Sequence, residues 1–103
     1  MSAYRASGAL CLILIDYVRP LPEVDEQMAA HVAWLDAGFD QDAFLVAGRR
    51  EPRTGGVIVA RGTRAAVERV AATDPFVTSG VATATVVPFN ASFAAGAIRE
   101  WLQ

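Results

Sequence analysis

The chain has 103 residues, 53% of them hydrophobic and 19% charged, which fits a folded domain with a modest core and excludes a disordered chain. A formal net charge of -2 offers no basic face for nucleic acid or an anionic membrane, and the Arg49, Arg50, Arg53 cluster is too small to make one. The longest apolar run, Ala9 to Ile15, is too short to cross a bilayer, the opening residues lack a signal-segment pattern, and the single cysteine, Cys11, has no intrachain partner. A cytoplasmic protein of one domain, residues 1–103 with 91–103 as a tail, is expected.

Met1 to Gly8 reads as a polar lead-in. Ala9 to Tyr17 (ALCLILIDY) is β-prone and apolar on both alternating faces, as in a strand buried in the middle of a sheet. After Pro20 and Pro22 the spacing predicts a helix over Val24 to Phe39. Val24, Met28, Val32, Leu35 and Phe39 share its buried stripe. His31, the only histidine, stands on the shoulder of that stripe, about 60° from its centre, in a row with Gln27, Trp34 and Gly38.

Phe44 to Gly48 and Gly56 to Arg61 predict two more strands, joined by the charged loop Arg49 to Gly55. Thr63 is placed to cap a helix over Arg64 to Ala72 that buries Ala66, Val67 and Val70. Asp74-Pro75 follows, then Gly80 and a fourth strand, Thr83 to Phe89, where Pro88 suits an edge. Phe93, Ala97, Ile98, Trp101 and Leu102 recur at helical spacing, so the tail predicts a terminal helix or arm.

The order β-α-β-β-α-β plus a tail is the ferredoxin-like arrangement of the α+β class, with both helices on one face of an antiparallel sheet. The other face is apolar too, presenting either Val57 and Val59 or Ile58 and Ala60. Exposing it costs about 25 cal/mol per Å². With no spare elements to cover it, a homodimer packed sheet to sheet is expected, the tail helping to close the interface.

Several pieces together resemble the YCII-related (YciI-like) family of the dimeric α-β barrel superfamily. They are His31-Val32-Ala33-Trp34-Leu35, Phe44 to Gly48, Pro52 to Ile58, Thr73-Asp74-Pro75-Phe76-Val77 and Val87-Pro88-Phe89. The resemblance implies a histidine and an aspartate that meet in a pocket as a catalytic dyad, here His31 and Asp74. Related proteins include dehydrochlorinases of chlorinated hydroquinones, and the superfamily includes muconolactone isomerases. Where many members have Gly-Pro after the second strand, this chain has Gly48-Arg49. Where many carry an arginine one turn before the histidine, it has Gln27 and Met28, which turns the anion-holding role toward Arg49 or Arg53.

The residues themselves leave two readings of each position. An imidazole oriented by a carboxylate can move protons at physiological pH, whereas a lone histidine beside an apolar stripe also occurs as a hydrogen-bonded core residue. Asp74 before Pro75 is also the pattern of a helix N-cap, and one carboxylate oxygen can cap while the other faces His31. Arg53 can hold an anionic substrate at the pocket mouth or sit as a solvated loop residue. Trp34 can wall an aromatic ligand or pack in the core, and Ser79 can contribute to ligand binding but has no partner base as a nucleophile. No metal-ligand set is present, and Gly55-Gly56 lacks the lysine of a phosphate loop.

The leading expectation is a cofactor-independent enzyme that moves a proton on a small, aromatic or lactone metabolite. His31 is then its acid/base, Asp74 its orienting group, and Arg53, Trp34 and Ser79 its substrate contacts. The alternatives are a non-catalytic small-molecule-binding dimer and a structural module that docks a partner protein through its tail.

Overall fold

The computed structural model describes residues 8–102, so the lead-in over residues 1–7 lies outside the described residues. Four strands, β1 (Ala9–Tyr17), β2 (Phe44–Arg49), β3 (Gly55–Arg61) and β4 (Ala82–Asn90), form one antiparallel sheet in the order β2-β3-β1-β4. The helices are α1 (Leu21–Glu26), α2 (Met28–Asp40), α3 (Arg64–Ala71), α4 (Pro75–Thr78) and α5 (Gly96–Arg99), with a 3-10 turn over Glu100–Leu102. This is the ferredoxin-like α+β fold expected from the element order, with short additions in its connections.

Register assigns the faces. Cys11, Ile13 and Ile15 of β1 pair with Ala60, Ile58 and Gly56 of β3, and this row is buried beneath the helices with Phe44, Val67 and Phe76. Leu10, Leu12 and Leu14 pair with Arg61, Val59 and Val57 and with Phe89, Val87 and Thr85, and they form the opposite face. Val57 and Val59 are therefore the pair that points away from the helices. Pro88 lies on β4, an edge strand, where its missing N–H costs no ladder bond.

Three sequence expectations are corrected. The helix over Val24 to Phe39 is two helices, because Gln27 leaves helical geometry at φ -99° and ψ 0° and re-aims the chain between α1 and α2. The apolar stripe is buried only in part: Val24 of α1 with Met28 and Leu35 of α2 packs on the core and His31 is buried beside them, while Val32 and Phe39 are exposed. His31, Trp34 and Gly38, the supposed shoulder, face the sheet. Gly38 is needed there, since a Cβ at that position would stand 2.2 Å from the Phe44 ring.

In α3 the N-cap is as expected, Thr63 Oγ1 accepting from the Ala66 N–H at 3.3 Å, but Val67 and Ala71 are buried and Val70 is exposed. Lastly, an element does exist for the open face. The tail folds back so that Ala91, Ala94 and Leu102 bury against Leu10, with Leu45 and Val59 packed beside them. A bulge between Phe44 and Val46 in β2 and a hydrogen bond from the Arg61 guanidinium to the Trp101 carbonyl accompany that contact. The tail covers one end only, and Val46, Val87 and Phe89 remain exposed.

Candidate active site

The Asp74-Pro75 dipeptide sets the site's local geometry. Pro75 occupies the first position of α4, where its missing N–H and fixed φ are tolerated, and Asp74 caps that turn. Its Oδ1 accepts the Phe76 N–H at 3.0 Å, which holds the carboxylate beneath α2. His31 comes down from α2 onto the same atom: its Nδ1–H donates to Asp74 Oδ1 at 2.7 Å. One oxygen thus serves both cap and histidine, whereas sequence reasoning divides the two roles between the two oxygens. Asp74 Oδ2 is buried and makes no hydrogen bond with the described residues.

An ionised carboxylate can only accept, so this bond sets the imidazole tautomer with its proton on Nδ1. The Nε2 atom, with no hydrogen bond to the described residues, is the nitrogen left for a ligand. Two rings hold the imidazole in plane. Phe76 stacks on it with centroids 3.9 Å apart and planes 7° apart. Trp34 stands 5.8 Å away at 29° and packs on Phe44. The Trp34 indole N–H donates to Thr73 Oγ1 at 2.9 Å, and that hydroxyl donates to the Val70 carbonyl at 2.6 Å. The chain immediately before Asp74 is thereby clasped to the helix that carries His31.

His31 and Phe76 line a cavity of about 250 Å³ between α2 and the adjoining ends of β2 and β3. Ile15, Met28, Val32 and Leu35 make much of its wall apolar. Val32 and Phe39, exposed on a helix otherwise expected to bury them, are wall residues of this cavity rather than core. Its far side is the glycine pair Gly55-Gly56. A Cβ on Gly55 would stand 1.8 Å from the Ile15 carbonyl oxygen, so the close approach of β3 to β1 there requires glycine.

The remaining sequence candidates lie elsewhere. Among the described residues, neither Arg53, Trp34 nor Ser79 lines the cavity. The Arg53 guanidinium donates to Asp25 Oδ1 at 2.5 Å and lies over the Tyr17 ring, 5.9 Å from its centroid. That bond to Asp25 raises the Arg53 pKa above its ordinary value. Trp34 stands behind the imidazole as its support. Ser79 closes α4, its hydroxyl donating to the Phe76 carbonyl at 3.4 Å. Arg49, which sequence reasoning weighed only as a replacement, is a lining residue. Its signal was available in the strand pattern, since alternation along β2 puts Ala47 and Arg49 on one face.

The YCII-related domain matches residues 9–90 of the chain. The chain belongs to the YCII-related family. Among solved structures, it is similar to the 5-chloro-2-hydroxyhydroquinone dehydrochlorinase TftG of Burkholderia phenoliruptrix AC1100, in complex with 2,5-dihydroxybenzoquinone. The two are 22% identical with a TM-score of 0.66, over 78% of this chain and 92% of the other. At that identity the likeness establishes the fold. No curated protein matches the chain. The family match ends at Asn90, so the tail folded over the open sheet face lies beyond it. No helix among the described residues is long and apolar enough to cross a membrane.

Proposed function

We propose that this YCII-family chain is an enzyme whose His31, oriented by Asp74, transfers a proton on a small aromatic or lactone metabolite. The carrying observation is the 2.7 Å bond from His31 Nδ1 to Asp74 Oδ1 at the edge of a mostly apolar cavity. With Nδ1 protonated, the Nε2 lone pair takes a proton from a substrate C–H or O–H, and Asp74 stabilises the imidazolium that forms. Returning that proton to a different carbon gives an isomerisation. If the electron pair instead expels chloride or another leaving group, the step is an elimination, and the proton leaves the imidazole afterwards. Neither route transfers an electron to a carrier, so the mechanism needs no cofactor. The likeness to a dehydrochlorinase supports the elimination arm as the first to assay.

Turnover of a panel of chlorinated hydroquinones and unsaturated lactones by wild type and His31→Ala is the test. Loss of at least 100-fold in kcat in the variant is expected from removal of a general base. Equal rates would end the assignment. A second reading, ligand binding without chemistry, is favoured by the apolar cavity wall and by Asp74 already having a capping role. It predicts retention of an unaltered ligand by wild type and Asp74→Asn alike.

The functional unit we propose is a homodimer joined through the open sheet face, where Val46, Val87 and Phe89 are exposed. Light scattering on the full chain is expected to give twice the monomer mass. A monomer at micromolar concentration would exclude it. No nucleic-acid or membrane partner enters this reading, and the cytoplasm remains its expected location.

A further inference from the structure

Among the described residues that line the cavity beside His31, one is an arginine, Arg49. Arg49 and Gly56 are register partners across β2 and β3, and Gly56 in turn pairs with Ile15. The row Ile15, Gly56, Arg49 therefore runs along the helix-covered face of the sheet, and all three line the cavity. At the middle of that row a Cβ would meet only the Gly48 carbonyl oxygen, at 3.2 Å, so glycine leaves the floor between Ile15 and Arg49 open.

Nearby arginines are already engaged. Arg50 pairs with Asp16, and Arg53 pairs with Asp25. Arg49 makes no side-chain hydrogen bond or ion pair with the described residues. These two pairs neutralise Asp16 of β1 and Asp25 of α1. In a chain of net charge -2, an unshared guanidinium at an otherwise mostly apolar cavity is a local anion site.

We infer that Arg49 is the specificity-determining residue of the cavity. It holds the oxyanion of a small planar acid, while the ligand's apolar body lies over Gly56 and reaches toward His31. This deepens the proposed function and rests on it for the identity of the cavity. The volume, about 250 Å³, falls below the ~300–1,000 Å³ of clefts for drug-sized ligands, which points to a single-ring carboxylate.

The test uses benzoate and its neutral analogue benzamide as probes of the full chain. Binding is followed by calorimetry and by the NMR resonances of the His31 imidazole. Wild type is expected to bind benzoate at least tenfold more tightly than benzamide. In Arg49→Gln that preference is expected to vanish, and in Arg53→Gln it is expected to persist. Arg49→Lys is expected to retain part of it, as a point charge without the planar fork.

Equal affinities in wild type, or a benzoate preference that survives Arg49→Gln, would overturn the assignment of Arg49 and leave the cavity reading standing. If neither probe perturbed the His31 resonances, the cavity reading and the role of Arg49 would fall together. Equal turnover by wild type and His31→Ala with the benzoate preference intact would overturn the catalytic reading and leave the role of Arg49 standing.

Discussion

The imidazole of His31 and the ring of Phe76 lie face to face at 3.9 Å, and the backbone N–H of the same Phe76 holds the carboxylate that His31 bonds. One residue thus sets both the plane of the base and the position of its orienting group. Phe76 is itself almost wholly buried and meets Tyr17 edge-on, so the arrangement is continuous with the core. Phe76→Leu should keep most of the buried area while releasing the ring. A stability loss of about 1–2 kcal/mol is expected by denaturant unfolding, with a larger proportional fall in turnover than in ligand affinity.

Asp74 does two jobs through one oxygen. Asp74→Ala removes a helix cap, worth about 1 kcal/mol, and strands a buried imidazole donor at about 1–3 kcal/mol more. A total near 2–4 kcal/mol is expected. Asp74→Asn can retain the cap through its carbonyl oxygen, so it should lose activity while unfolding within about 1–2 kcal/mol of wild type. If both variants unfold alike, the cap is not what Asp74 contributes.

Trp34 and Thr73 clasp α2 to the segment before Asp74. Trp34→Phe and Thr73→Val both break that bond, Thr73→Val losing the hydroxyl's bond to the Val70 carbonyl as well, and are expected to cost about 1 kcal/mol and about 1–2 kcal/mol beyond changes in packing. Because they remove the same interaction, the double variant should be less destabilised than the sum of the singles. Strict additivity in the double-mutant cycle would show that the bond contributes nothing.

Three glycines rank by what surrounds them. At Gly48 an added Cβ meets nothing within 4 Å, at Gly38 it meets the Phe44 ring at 2.2 Å, and at Gly55 the Ile15 carbonyl at 1.8 Å. Gly48→Ala should be within about 0.5 kcal/mol of wild type. Gly38→Ala gains helix propensity of about 1 kcal/mol but overpacks a buried ring, for a net loss of about 1–2 kcal/mol. Gly55→Ala should be the most damaging, because a backbone carbonyl cannot rotate aside as a side chain can. Melting temperatures in any other order would contradict this account.

Burial raises the pKa of the Cys11 thiol, with Arg64 lowering it and Glu68 raising it by smaller amounts. Less thiolate is therefore present in the folded than in the unfolded chain at a given alkaline pH. The associated stability is fully present below the ordinary thiol pKa of about 8.5 and is lost as pH rises through the higher folded value. Cys11→Ala should flatten the decline in stability above about pH 9. In wild type, reaction with a disulfide reagent at pH 8 should be slow until denaturant opens the fold.

Much of the framework is legible in the chain itself. Alternation along Ala9 to Tyr17, the turn residues around the second and third strands, Thr63 as a cap and the Asp74-Pro75 pattern are all local signals. Local signals hold because the hydrogen bonds they describe close within a few residues. The same logic places Asp74 at a helix start without reference to its partner. What periodicity misjudged is α2. An apolar stripe at helical spacing marks a face that avoids water, but it does not say whether that face meets the core or the wall of a cavity.

Tertiary structure decided the rest. His31 and Asp74 are 43 residues apart, and no local rule brings their side chains to 2.7 Å. The break at Gln27 that separates α1 from α2 is equally non-local in origin, and no glycine or proline marks it. Which arginines are spent on Asp16 and Asp25, and which one reaches the cavity, is likewise a matter of how three strands and two helices converge. Residue types and spacings determine which elements can form, because their energetics are short-ranged. The site is made by contacts between elements, and those exist only once the sheet has closed and the helices have settled on it.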